Sequence, residues 1–188
     1  MLFPSLTTSV RETVQLERVP CTYGGGSFIP KGALKRNIDA KTLSSLLDDL
    51  NVNRSYIDQI LYRFFVVFAI LLQLGAGSDI DQFVNENFLD DKRLPFESQD
   101  EVKWPKGCHA TFKDFYQLQW EYCVLAWEEE QLCGNSLRKD GLLPIIGTEE
   151  FCVGSTNSKT FKIMLHTEYN KLNLKVRIIL FFWNEEIT

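Results

Sequence analysis

Between Ile60 and Leu74 the chain reads ILYRFFVVFAILLQL. A run this apolar has to leave water, so it dictates how the neighbouring segments are arranged. It falls short of the roughly 20 residues that cross a bilayer. It also contains Arg63 and Gln73, with Arg54 and Asp58 just before it. The spacing therefore predicts a buried core helix. Ser55 is placed to cap its start, and it should run to about Leu74. Gly75-Ala76-Gly77 should end it, because glycine takes the left-handed cap conformation without steric cost. From Phe64 to Leu72 the helix is apolar nearly all round, which predicts a position at the centre of a bundle.

Segments that could pack around it follow the same logic. Asp39 is a helix cap for Leu43, Leu46, Leu47 and Leu50, which recur at helical spacing. Ser78 or Asp79 should open a short helix with Ile80, Phe83 and Val84 facing inward. Residues 90–110 read as a polar loop punctuated by Pro95, Pro105 and Gly107. Thr111 to Asp114 fits a capping box. The helix after it, expected to about Gln131, carries Phe112, Phe115, Tyr116, Trp120, Tyr122, Cys123 and Trp127 as core residues. Glu128-Glu129-Glu130 reads as its solvated end. Residues 1–28 contain Pro4, Pro20 and Gly24-Gly25-Gly26 and are expected to be a flexible N-terminal segment. The glycine triplet lacks a following Lys-Ser/Thr, so it reads as a linker and not a phosphate loop.

Composition limits the function classes. The 188 residues are 45% hydrophobic and 24% charged, as in globular chains. A net charge of -5 disfavours a nucleic-acid partner or an anionic membrane surface. Cys21, Cys108, Cys123, Cys133 and Cys152 are odd in number and form no C-x-x-C pair. With no secretory leader evident after Met1, this pattern predicts a reducing, intracellular setting, cytoplasmic or nuclear, with the cysteines as small buried apolar residues.

After Gly141 the pattern changes from helical to alternating. Thr160 to Leu165 and Leu174 to Ile178 read as strands, with Glu168 to Lys171 as the turn between them. The expected fold class is α+β: a mainly α-helical region over 29–140, then a small antiparallel β-hairpin or sheet over 141–188.

Two parts of the chain resemble a group of fungal protein-kinase-like proteins that carry a helical region ahead of a kinase domain. One is FIPKGALKRNID with FFVVFAILLQLGAGSDIDQFV and the downstream LPF. The other is ATFKDFYQLQWEYC followed by LLPI and the segment after it. The resemblance implies that residues 141–188 are a partial kinase-like small lobe. In that family's loop, G-x-G-x-x-G-x-V, glycines let backbone amides lie close over the nucleotide phosphates. Here Gly154 fills the first slot, Thr156 and Lys159 replace the other two glycines, and Phe161 takes the Val slot. The strand Lys of the family falls on Arg177, or on Lys175 in a shifted register, and an Arg does not reproduce a point-charge geometry.

No H-R-D or A-P-E is present. Asp114-Phe115-Tyr116 resembles D-F-G without its glycine and lies before the loop, so it reads as helix content. His166 is expected on the surface at a strand end. The run Ile178 to Trp183 leaves an apolar edge, read as a docking surface or an aggregation hazard, or as a sign that the chain is a truncated product.

These features predict a non-catalytic protein-interaction module with a degenerate kinase-like remnant, with no catalytic residue, no metal and a protein partner. The alternative is the ATP-binding N-terminal part of a protein kinase domain-containing protein, with Gly154, Ser155, Thr156 and Lys159 on the phosphates. Hydrolase or metalloenzyme chemistry has no Ser/His/Asp or Cys/His constellation to support it.

Overall fold

In the computed structural model, residues 5–22, 25–124, 126, 142–153, 158–171 and 178–184 are described. The fold is α+β, a mainly helical region followed by small antiparallel sheet structure. Contacts divide the chain into two units: Met1–Arg18 with Ile29–Cys123, and Val19–Phe28 with Val124–Thr188. The expected boundary between 140 and 141 lies outside the described residues.

The first unit contains helices α1 (Leu6–Leu16), α2 (Lys31–Asn37), α3 (Ala40–Asp49), α4 (Ile57–Arg63), α5 (Phe65–Gln73), α6 (Ile80–Glu86) and α7 (Phe112–Leu118). As the sequence leads one to expect, Val67 to Leu72 of α5 are all buried and lie in the core. The single long helix is not found. It breaks at Phe64, and the segment Arg54–Arg63 meets α5 at 107°. Phe and Val are weak helix formers. The break therefore costs little, provided the new N-terminus finds acceptors. Asp91 supplies them, taking the Val66 and Val67 N–H groups at 3.0 Å each. Among the described residues no single helix is long and apolar enough to cross a membrane.

At its C-terminus α5 closes as expected. Gly75 sits at φ 77°, the Gly75 N–H donates to Leu72 O at 3.0 Å, and the Ala76 N–H to Leu71 O at 2.9 Å. This is the paired-bond glycine cap. The Arg11 guanidinium of α1 adds a bond to Gln73 O at 2.9 Å. Replacing Gly75 with Ala places a Cβ in the left-handed region, and chemical denaturation should register a loss of about 1 kcal/mol.

Helix α3 follows its caps. The Asp39 carboxylate accepts from Thr42 N at 2.7 Å, and Leu43, Leu46 and Leu47 are buried, with Leu50 packed against them. Helix α6 buries Ile80, Phe83 and Val84. Asp79 does not cap it, because its carboxylate bonds elsewhere. Thr111 caps α7 by accepting from Asp114 N at 3.1 Å. That helix is shorter than expected: a 3-10 turn over Gln119–Glu121 ends it, and residues 127–131 lie outside the described residues. Trp127 and the Glu128 to Glu130 run share that position.

Two further expectations are corrected. Residues 6–16 are not loosely structured but form α1. Ser5 caps the helix by accepting from Thr8 N, Asp49 of α3 accepts from Thr7 N, and Val10 and Val14 are buried. Gly25 and Gly26 stand between two paired strands and not in a free linker, and Gly24 lies outside the described residues. Those strands are β1 (Val19–Pro20) and β2 (Ser27–Phe28), with Gly25 and Gly26 at φ 73° and 83°. The 90–110 loop also has internal structure. It contains 3-10 turns at Asp91–Arg93 and Ser98–Lys103, and it buries Asp90 and Asp100.

Of the aromatic residues expected in the core, Phe112, Phe115 and Tyr122 are buried there and Tyr116 packs against them, whereas Trp120 is half-buried. Phe115 stacks on Phe96 at 5.2 Å, and Trp104 meets Phe83 edge-on at 5.0 Å. Such pairs add to simple area burial.

The second unit is built on β3 (Ile145–Val153), β4 (Ser158–Leu165) and β5 (Ile178–Asn184), antiparallel in the order β3-β4-β5. The expected strand over 160–165 is β4. Of the strand expected over 174–178, only Ile178 lies among the described residues, as the first residue of β5. The intervening segment has a 3-10 turn at Thr167–Tyr169. Ile145, Ile163 and Leu165 form one small core. Phe28, Val124 and Tyr169 form another, and the Thr22 N–H and hydroxyl both bond Ile145 O. His166 follows the end of β4, as expected, but is only partly exposed. Its ring lies 5.4 Å from Phe28 and 5.8 Å from Tyr169.

Candidate functional site

The segment that the resemblance aligns with a nucleotide loop falls, in sequence, between the paired strands β3 and β4. Val153 pairs with Lys159, Cys152 with Thr160, and Glu150 with Phe161. Register shifts between Ile145 and Gly147 and between Glu150 and Cys152 interrupt the ladder. Irregularities of this kind increase local twist and re-aim side chains. At the first of them Gly147 lies close under Met164: a Cβ there would come within 2.9 Å of the Met164 methyl carbon.

Gly154, Ser155 and Thr156 lie outside the described residues, as do Lys175 and Arg177. Lys159 is placed by its backbone alone, in the central strand, opposite Val153 of β3 and Trp183 of β5. Its side chain lies outside the described part. Ile178 to Trp183 form most of β5, which is an edge strand among the described residues. Asp114-Phe115-Tyr116 lies within α7, as read from the sequence, with Phe115 fully buried.

The helical unit buries the acids Asp79, Asp90 and Asp100, of which the sequence marks only Asp79, and that as a helix cap. Asp79 is 2% exposed; it accepts from Ala110 N at 2.8 Å and contacts His109 Nδ1 at 2.7 Å. Asp90 accepts from Arg63 at 2.9 Å, and Asp100 from Arg93 and from Glu97 N. Each of these acids has a cationic or N–H partner, which is what burial of a carboxylate requires. The signal of Asp90 and Asp100 in the sequence is weak, because isolated Asp residues in a polar stretch look like solvated loop.

The thiols are poor nucleophiles. Burial, reinforced by the charges of Asp79, Asp81 and Glu86, pushes Cys108 up to about 12. Burial does the same for Cys123, also to about 12, and raises Cys21. The thiolate is the reactive form, so these groups stay protonated at neutral pH. All three are half-buried rather than fully buried. Cys133 lies outside the described residues. Among the described residues no three His, Cys, Asp or Glu side chains converge as a metal set.

Compared with family models, curated proteins and solved structures, the chain matches none.

Proposed function

We propose that the chain is a non-catalytic protein-interaction module whose C-terminal unit is a degenerate kinase-like remnant. The observation that carries this reading is the loop sequence set on its hairpin. Strands β3, β4 and β5 are antiparallel in that order, and in sequence the residues joining β3 to β4 begin with Gly154. Two of the three glycines of the family's loop are replaced there by Thr156 and Lys159. A Cβ at Thr156 hinders the close backbone approach that phosphate cradling needs. Phosphoryl transfer also requires a catalytic base and a metal-holding Asp, and these 188 residues contain no H-R-D or D-F-G. Net acidity and the absence of a dense basic run favour a protein partner over nucleic acid or a membrane. The cysteine pattern favours an intracellular setting.

The alternative, an ATP-binding N-terminal part of a protein kinase domain-containing protein, draws on the same hairpin order. Gly154, Ser155, Thr156 and Lys159 would then contact the phosphates.

Two measurements on the purified chain separate these readings. Incubation with radiolabelled ATP and a generic acceptor protein should give no transfer above background; robust turnover would overturn the non-catalytic reading. Thermal-shift titration with Mg-ATP should leave the melting temperature unchanged to millimolar nucleotide. Stabilisation that grows with ligand concentration would establish the alternative, because a ligand that binds only the folded state raises stability by mass action.

A further inference from the structure

We propose that a shallow groove in the helical unit, about 380 Å³ and lined by Glu86, Phe88, Val102, Lys103, Trp104 and Lys106, docks a short acidic peptide segment that inserts an apolar side chain. The proposal rests on the interaction-module reading and gives it a partner chemistry.

The apolar floor is fixed before anything binds. Trp104 Nε1 donates to Ala110 O at 3.0 Å, and its ring packs on Phe83, Phe115 and Phe112 at 5.0, 5.2 and 5.4 Å. The turn carrying Val102 is held as firmly. Asp100 is 2% exposed, accepts from Glu97 N at 3.1 Å and pairs with Arg93. A surface ordered in advance spends little conformational entropy on association.

On this turn Val102 is 90% exposed, an apolar side chain standing in water on a rigid support. Lone exposed apolar residues are common. This one adjoins Phe88 and Trp104, both half-buried in the same groove.

Charge selects the partner. Lys103 and Lys106 border the groove, and neither makes an ion pair with any described residue. The one acid of the lining, Glu86, has its carboxylate facing the Lys106 N–H at 3.4 Å. The lining thus carries two lysines against one carboxylate, a net positive charge on a chain of net charge -5. It complements carboxylates placed either side of an inserted Leu or Phe. Two lysines are too few for an anionic bilayer, which is recognised by clusters of about 4–8 basic residues.

Fluorescence anisotropy with two labelled peptides tests the idea: one alternating Asp or Glu with Leu and Phe, the other identical but with Lys for each acid. The acidic peptide should bind the full chain saturably and weaken as salt rises, and the basic peptide should bind at least about tenfold less tightly. Val102→Asp should weaken the acidic peptide by about tenfold or more. Lys103→Glu with Lys106→Glu should reverse the preference. These side chains project from the surface, so unchanged melting temperatures are expected and confirm that the variants fold.

Equal binding of both peptides, no saturable binding of the acidic one, or indifference to Val102→Asp would each overturn the proposal. So would binding to phosphatidylcholine–phosphatidylserine vesicles in preference to the peptide. ATP turnover in the same preparation bears only on the non-catalytic reading. Turnover with peptide binding intact removes that reading and keeps the groove. A catalytically silent chain that ignores the acidic peptide does the opposite.

Discussion

Gln119→Leu should destabilise the helical unit by about 2–6 kcal/mol, because it strands two buried backbone groups whose loss costs about 1–3 kcal/mol each. Gln119 is 0% exposed. Its Oε1 accepts from Phe96 N at 2.7 Å, and its Nε2 donates to Phe96 O at 3.0 Å. The side-chain amide thus serves Phe96 as a neighbouring strand would, in a segment between two 3-10 turns that has no ladder of its own. Leucine matches the volume and offers neither bond. The effect should extend to the aromatic core, because the Phe96 ring is stacked on Phe115.

Gln119→Glu separates the two bonds. An ionised carboxylate keeps the acceptor for Phe96 N but sets a buried negative charge against the Phe96 carbonyl oxygen. A protonated carboxyl can donate to it. The Glu variant should therefore regain stability as pH falls toward the carboxyl range, while the Leu variant should show no such recovery. Urea unfolding at neutral and mildly acidic pH measures both. A Leu variant within about 0.5 kcal/mol of the parent, the usual range for surface changes, would show that the amide is not the bridge described.

Asp91 should be nearly as sensitive. Its carboxylate accepts the Val66 and Val67 N–H groups of α5, a helix cap delivered by a distant loop. Asp91→Ala leaves orphan donors at the start of the most buried helix and should cost about 2–3 kcal/mol. Burial, the largest influence on this group, raises its carboxyl above the usual aspartate value. The α5 N–H groups act in the opposite sense, and the Asp90 charge adds to the rise.

The sign of the pH effect follows. The folded state holds the Asp91 proton more tightly than the unfolded chain, so its contribution is greatest below the ordinary aspartate pKa. That contribution declines as pH rises from there through the raised value. Asp91→Asn keeps an acceptor and cannot ionise. The stability of the parent relative to the Asn variant should fall as pH increases across that window. A parent-minus-Asn difference that rises with pH would contradict this assignment. Asp39, Asp48 and Asp49 act oppositely: hydrogen bonds from Thr42, Arg54 and Thr7 hold them low. Their stabilisation is present above the ordinary aspartate value and is lost as pH falls through their lowered values.

The segments legible in the sequence were those with a local cause. Asp39 and Leu43, Leu46 and Leu47 lie within a few turns of one another, so cap and buried stripe can be read together. The same holds for Ile80, Phe83 and Val84, for Thr111 ahead of α7, and for Gly75 at the end of α5. Helix α1 was missed because it buries only Val10 and Val14, too few to mark a face, and part of its capping comes from Asp49 of α3. Strand β3 was missed because Glu149 and Glu150 and two register shifts break the alternation that identifies a strand. The loop residues Gly154, Ser155 and Thr156 were picked out by resemblance, and their geometry lies outside the described residues. The Val102 groove carried only a faint signal, an apolar residue and a Trp in a polar stretch.

By itself the amino-acid order determined which segments had to leave water, where most helices could start and stop, and that an alternating β region follows a helical one. These follow from side-chain periodicity and from caps a few residues away. Tertiary structure alone decided that the apolar run bends sharply at Phe64, that the amide of Gln119 completes the backbone of Phe96, that Asp79 bonds Ala110 N and His109 instead of capping α6, and that Asp90 and Asp100 are buried partners and not solvated loop. Each depends on a polar group meeting its complement across the fold, and no local pattern in the sequence encodes that meeting.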